Sequence, residues 1–146
     1  MTSLKGDIQE MNMKLSNGCP AAKEYVELRQ LAKMSQRDVE GVKVGLAHSN
    51  YIVTCRDQNM LVGMGRIIGD KATTFQIVDV VVHPDYQGKG LGKAIMQELM
   101  RYLEEHASDG AFVSLIADGD AKYLYEKFGF ALCSPNSLGM YRFMKR

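Results

Sequence analysis

Between residues 80 and 100 the chain reads VVVHPDYQGKGLGKAIMQELM: a β-branched run, then a glycine-studded turn, then a helix pattern. The first amides of such a helix have no partner within it, so they are ready donors for an anion. Gly88, Gly90 and Gly92 remove side chains from the approach, the helix dipole favours negative charge, and Lys89 and Lys93 add local positive charge. The chemistry this suits is the holding of a phosphate or diphosphate. The spacing is GxGxG, which fits neither the Walker pattern GxxxxGK followed by Ser or Thr nor the dinucleotide fingerprint GxGxxG. A nucleotide-binding or phosphate-sensing domain is therefore disfavoured. Cys19, Cys55 and Cys133 are scattered and odd in number, without the close pairs of zinc or redox motifs, and are expected to act as small buried hydrophobes.

The elements that must position this turn follow from periodicity. PAAKEYVELRQLAKM places Tyr25, Leu28, Leu31 and Ala32 at helical spacing, with Pro20 suited to the first helical position. SQRDVEGVKVGLAHS is a second helix candidate that starts from Ser35 or Asp38 and carries Val39, Val42, Val44 and Leu46. YIVTCR, LVGMGRIIGD and TTFQIVDVVV read as three strands with short turns, an antiparallel meander. Leu91, Ile95, Leu99 and Tyr102 then share a helical face, which predicts a helix to about His106. AFVSLIA is a short strand, DGDAKYLYEKF a helix capped by Asp118 or Asp120 and stopped by Gly129, and GMYRFM a last alternating strand. The amino-terminal residues, Met11 and Met13 among them, are expected to form a strand or a loose arm.

The 146 residues carry a net charge of +1, too little for general attraction to nucleic acid or an anionic membrane, so anion binding has to be local. No apolar run approaches the length of a membrane span, and MTSLKGDIQE lacks the apolar core of a secretion signal. One domain over residues 1–146, in the cytoplasm, is the expectation.

The turn Gln87-Gly88-Lys89-Gly90-Leu91-Gly92 resembles the acetyl-CoA signature of the GCN5-related N-acetyltransferase (GNAT) superfamily. ADGDAKYLYEKFGF is similar to that family's later segment, with Ala121, Leu124, Tyr125, Gly129 and Phe130 on the pattern. The resemblance is strong over roughly residues 75 to 130. It implies an α/β (α+β) fold with a mixed, mostly antiparallel central sheet of six to seven strands, flanked by about four helices and splayed between strands 4 and 5. It also implies acetyl-CoA as cosubstrate, no metal, and direct acetyl transfer to an amine through a tetrahedral intermediate. By carry-over, the backbone of Val80, Val81 and Val82 holds the pantetheine, and the amides of Gln87, Gly88, Lys89, Gly90, Leu91, Gly92 and Lys93 hold the diphosphate. Ala121 belongs to the same cofactor set. Asp118 stands where the family often has asparagine, and an ionised aspartate cannot donate from its side chain.

Tyr125 matches the family's general-acid tyrosine; a tyrosine with a pKa of about 10 is protonated at neutral pH and can supply the leaving thiolate. Tyr123 would face away and is read as scaffold. Asp79 resembles in position an acidic strand residue of some amino-sugar members, although the accompanying glutamate is replaced by Val78, and it is the base candidate. His83, before Pro84, reads more as a turn residue than a base, and His48 and His106 show no partner pattern. Acceptor specificity in the family comes from the first two helices and from the late loop, here CSPNSLGM. Tyr25, Leu28, Arg29 and Met34 could line that pocket, though their spacing also suits the core. The implied function is acetylation of a small-molecule primary amine. A protein lysine or amino-terminal acetyltransferase and a non-catalytic acyl-CoA-binding module are the alternatives. A homodimer is compatible with the resemblance, and no residue decides it.

Overall fold

The computed structural model describes residues 13–146, so Met11 and the rest of the predicted amino-terminal arm lie outside the described residues. Two compact units are distinguishable, one ending at Leu115 and one running from Ile116 to Arg146.

The first unit opens with β1 (Met13–Asn17), followed by α1 (Ala22–Leu31) and α2 (Val39–Ala47). Pro20 stands before the α1 cap rather than at its first helical position. The start is set by Glu24, whose carboxylate accepts from the Ala21 amide at 2.8 Å. Asp38 caps α2 by accepting from the Gly41 amide at 2.8 Å. Of the four apolar residues expected on that helix, Val42 and Leu46, one turn apart, are buried and Val39 and Val44 are exposed.

Next come β2 (Tyr51–Asp57), β3 (Met60–Gly69) and β4 (Thr74–Val82), the predicted antiparallel meander. A short 3-10 turn (Pro84–Tyr86) leads to α3 (Leu91–His106), and β5 (Phe112–Leu115) closes the unit. The sheet order is β1-β2-β3-β4-β5, with β5 alone parallel to its neighbour. Tyr25, Leu28, Val42 and Leu46 of the first two helices pack on Ile52, Met64 and Val81. Because side chains alternate along a strand, Gly63 and Gly65 point the other way, toward Leu91, Ile95 and Leu99 of α3. A Cβ on Gly65 would come within 2.9 Å of Ile95 and Leu99, so this glycine lets the helix approach the sheet. Leu103 completes the buried stripe of α3, whereas Tyr102 is half-buried and stacks on Tyr51 at 4.5 Å between ring centroids.

In the second unit α4 (Ala121–Glu126) forms where predicted, and Gly129 adopts the left-handed φ of 88° that follows a helix end. Asp120 occupies the cap position without a side-chain hydrogen bond; backbone bonds from Ala121 to Asp118 and from Tyr123 to Asp120 form the first turn instead. Residues 139–144 form no strand. Alternation specifies two faces but supplies no neighbour to take the backbone hydrogen bonds, and a strand needs both. The described residues thus contain five strands rather than six or seven, and four α-helices. Cys55 is buried as expected of a small hydrophobe, but Cys19 and Cys133 are exposed.

Candidate active site

The parallel pairing of β4 with β5 runs from Thr74↔Phe112 to Ile77↔Leu115 and stops there. Among the described residues no strand pairs with the outer edge of Val78–Val82. A bulge sits at the same place. The register passes from Met64↔Val81 to Arg66↔Val78, so Asp79 and Val80 both stand opposite Gly65. On the inner side the His83 amide donates to the Val62 carbonyl at 2.7 Å. Backbone groups alternate sides, so the Val82 carbonyl faces outward, where the Gln87 side-chain amide donates to it at 3.1 Å. The same two-residue repeat turns the backbone of Val80 outward, while the Val81 side chain is buried in the core. Pairing between strands 4 and 5 ends with β5 at Leu115, so β4 continues past it with an outer edge that pairs with no strand among the described residues.

The edge leads directly into the glycine turn. Gly88 and Gly90 hold φ of 76° and 82°, values that non-glycine residues adopt at a cost, whereas Gly92 lies inside the first turn of α3. Gly90 is the cap residue and carries no side chain to satisfy the helix start, and no acidic residue stands in the first turn. The first closed bond of the helix is from Ala94 to the Gly90 carbonyl at 3.1 Å, which leaves the amides of Leu91, Gly92 and Lys93 without helical partners. Leu91 anchors the turn with a side chain that is fully buried. Lys93 is exposed, and the Lys89 ammonium lies over the Tyr86 ring, 5.5 Å from its centroid. Tyr86 is held in turn by a hydrogen bond to Asp57, which also pushes its hydroxyl pKa up. The amides at the helix start thus have no side-chain cap and no acidic residue in the first turn, and two lysines stand beside them in the sequence.

Asp79 presents the opposite situation. It adopts a left-handed φ of 55° at the bulge, and its side chain is 6% exposed. One carboxylate oxygen accepts from Arg29; the other accepts from the Tyr25 hydroxyl and from Arg66 Nε, each at 2.6 Å. Arg29 also donates to the Ser35 carbonyl at 2.8 Å, and Arg66 to the Ser49 hydroxyl at 3.1 Å. Burial, then the bond to Asp79, pushes the Tyr25 hydroxyl pKa up. With both oxygens engaged, a base role for Asp79 would have to break one of these bonds. Tyr25 and Arg29 are core residues here, 1% and 3% exposed. Sequence reasoning misses Arg66, although an aspartate inside the run IVDVVV implies a buried carboxylate in need of a cation.

His83 is mostly shielded and accepts from the Asp85 amide at 3.1 Å, which makes it the cap of the 3-10 turn. His48 bonds the Val44 carbonyl, and His106 packs on the Tyr102 ring; both remain outside the turn and the open edge.

In the second unit Tyr125 is buried and contacts the Phe130 ring edge-on. Burial, followed by the charge of Asp118, pushes its hydroxyl pKa up, so it is protonated throughout the neutral range. Asp118 itself is exposed, Ala121 opens the helix, and Tyr123 is exposed on another face. Among the described residues no group of three His, Cys, Asp or Glu side chains is arranged to hold a metal ion, and no helix is long and apolar enough to cross a membrane.

Residues 20–139, which span both units, match the acetyltransferase (GNAT) domain family. A crystal structure from meticillin-resistant Staphylococcus aureus, of a protein of unknown function named a probable acetyltransferase, superposes with a TM-score of 0.88 at 42% identity, covering 90% of this chain and 99% of that one. An uncharacterized N-acetyltransferase of Porphyra purpurea is 34% identical over 110 residues, 73% of this chain and 62% of its own length. A histone acetyltransferase of Glycine max is 38% identical over 85 residues, 58% of this chain and 36% of that protein. The chain thus spans less than two thirds of these curated relatives. With the mixed sheet, the glycine turn and the family match in agreement, the chain belongs to the GCN5-related N-acetyltransferase superfamily.

Proposed function

We propose that this chain is one acetyltransferase domain over residues 1–146 that moves acetyl from acetyl-CoA to a primary amine of a small molecule in the cytoplasm. The observation that carries the reading is the continuity of two unsatisfied backbone surfaces: the free outer edge of β4 and the uncapped start of α3. A cosubstrate with an amide-bearing arm and a diphosphate matches both, in that order along the chain. The backbone of Val80 and Val82 would pair with the arm, with Val81 packed behind them. The amides from Gln87 to Lys93 would hold the diphosphate. Asp118 and Ala121 join the cosubstrate set on the family pattern alone.

In the reaction the amine nitrogen bonds to the thioester carbonyl carbon, the tetrahedral intermediate collapses with cleavage of the C–S bond, and the sulfur takes a proton from the Tyr125 hydroxyl. The amine gives up a proton to solvent or a base. An amine with a pKa of about 10.4 is mostly protonated, and its neutral form at pH 7 costs roughly 4 to 5 kcal/mol. Asp79 was the candidate for that base; its saturated carboxylate fits better as the anchor of the bulge that opens the β4 edge.

The likeness to a histone acetyltransferase favours a second reading, a protein lysine or amino-terminal amine as acceptor. Parallel screens of small amines and of lysine-bearing and free-amino-terminal peptides, with thiol release from acetyl-CoA as readout, separate the two. Saturating acetyl-CoA should raise the melting temperature far more than NADH or ATP, because a ligand bound only by the folded state stabilises it. A melting curve unmoved by acetyl-CoA would sink the assignment of cosubstrate. Binding without thiol release for any acceptor would leave an acyl-CoA-binding module.

A further inference from the structure

The proposed chemistry leaves the Asp79 cluster unused, and that cluster reaches further than the bulge it anchors. Followed outward from the carboxylate, its hydrogen bonds end at the two flanks of α2. On one side Arg29 bonds Asp79 and donates through Nη2 to the Ser35 carbonyl at 2.8 Å and the Ser35 hydroxyl at 3.1 Å, in the connection that leads into α2. On the other side Arg66 donates through Nε to Asp79 at 2.6 Å and through Nη1 to the Ser49 hydroxyl at 3.1 Å. That hydroxyl donates in turn to the Gly45 carbonyl at 2.9 Å, in the last turn of α2. The Arg29 and Arg66 side chains are 4% and 17% exposed, so water competes little for these bonds.

At the bulge itself Asp79 holds a φ of 55°, a left-handed value that a non-glycine residue keeps only where its surroundings over-determine it. The donors to its carboxylate supply that constraint, and they come from α1 and β3. Arg66 spends two nitrogens of one planar fork on Asp79 and Ser49, a geometry that a lysine lacks. We propose that Asp79, Arg29 and Arg66 are positioning residues that tie both ends of α2 to the β4 bulge, so that the edge from Val80 to Val82 keeps the geometry its ligand requires only while α2 is seated. The identity of that ligand rests on the acetyl-CoA reading above, whereas the tie rests on the hydrogen bonds alone.

Ser49→Ala removes one link of the tie and nothing on β4 itself. In the ligand-free protein, hydrogen exchange at residues 78–83 should speed up by at least about threefold in Ser49→Ala, and Ser49→Thr, which keeps the hydroxyl, should restore the parent rate. By calorimetry, acetyl-CoA should bind Ser49→Ala about threefold or more weakly than the parent, and Asp79→Asn more weakly still. In the double variant the two losses should not add, because both break one network. If Asp79→Asn fails to fold, the Ser49 pair decides. Unchanged exchange at 78–83 in Ser49→Ala, a change that Ser49→Thr does not reverse, or additive losses in the double variant would each overturn the tie. Acetyl-CoA that binds neither parent nor variant would instead remove the acetyl-CoA reading, and the ligand-free exchange would still decide for or against the tie.

Discussion

Asp79 and the glycine turn lie a few residues apart, at the two ends of the open β4 edge, and they are opposites in hydrogen bonding. The carboxylate of Asp79 is buried and saturated by donors from α1 and β3. The amides of Leu91 to Lys93 are left without helical partners, and the residue that caps them has no side chain. Full satisfaction suits a rigid anchor, and incomplete satisfaction is what the proposed diphosphate site requires. The acidic residue looks like chemistry in the sequence but is engaged in structure, while the glycines, which already suggest an anion site in the sequence, keep their amides without helical partners.

The comparison breaks most visibly at Asp79. Asp79→Ala leaves Arg29 and Arg66 facing each other without their carboxylate, and removing one partner of a buried ion pair costs about 3 to 5 kcal/mol. Denaturant unfolding should show that loss; a cost below about 1 kcal/mol, the range of a surface pair, would mean that the cluster anchors nothing.

Tyr125→Phe tests whether the proton donor sits with the family motif rather than with the buried cluster. Turnover should fall roughly 100-fold, with acetyl-CoA affinity nearly intact, since only the hydroxyl is removed. Because the Tyr125 hydroxyl is raised, the acid form persists above the ordinary tyrosine range, and the alkaline limb of the parent's rate profile should lie above pH 10. Unchanged turnover where chemistry limits the rate would return Tyr125 to packing.

Gly90→Val probes the other end of the edge. A β-branched residue at φ 82° is penalised by roughly 1 to 2 kcal/mol, and its side chain enters the approach to the amides. Acetyl-CoA affinity should drop by more than in Lys89→Ala, because amide geometry is proposed to hold the diphosphate and the Lys89 charge leans on Tyr86. Equal losses in the two variants would assign binding to charge instead.

The smallest effect is absent at neutral pH. Burial pushes the Cys55 thiol from 9.0 up to about 11, so above pH 9 the unfolded chain releases a proton that the folded chain keeps. Stability should therefore decline between pH 9 and 11, and Cys55→Ala should flatten that slope while costing some packing. An unaltered slope would show that other groups set the alkaline limit.

Local pattern was enough for much of this protein. The order of helices and strands, the end of α3 at His106 and the start of that helix at a glycine turn all follow from periodicity and from the conformations glycine permits. These are properties of neighbouring residues, and neighbours are what a sequence displays. Only the tertiary structure decided what depends on distant partners. Asp79 draws its donors from residues 25, 29 and 66, which only the packing of α1 against β3 and β4 brings together. Pro20 lost the helix start to a Glu24–Ala21 bond, and Tyr102 yielded its core position to Leu103. Residues 139–144 alternate as a strand should, yet form none, because a strand is completed by hydrogen bonds to another chain segment and no pattern within six residues can provide them.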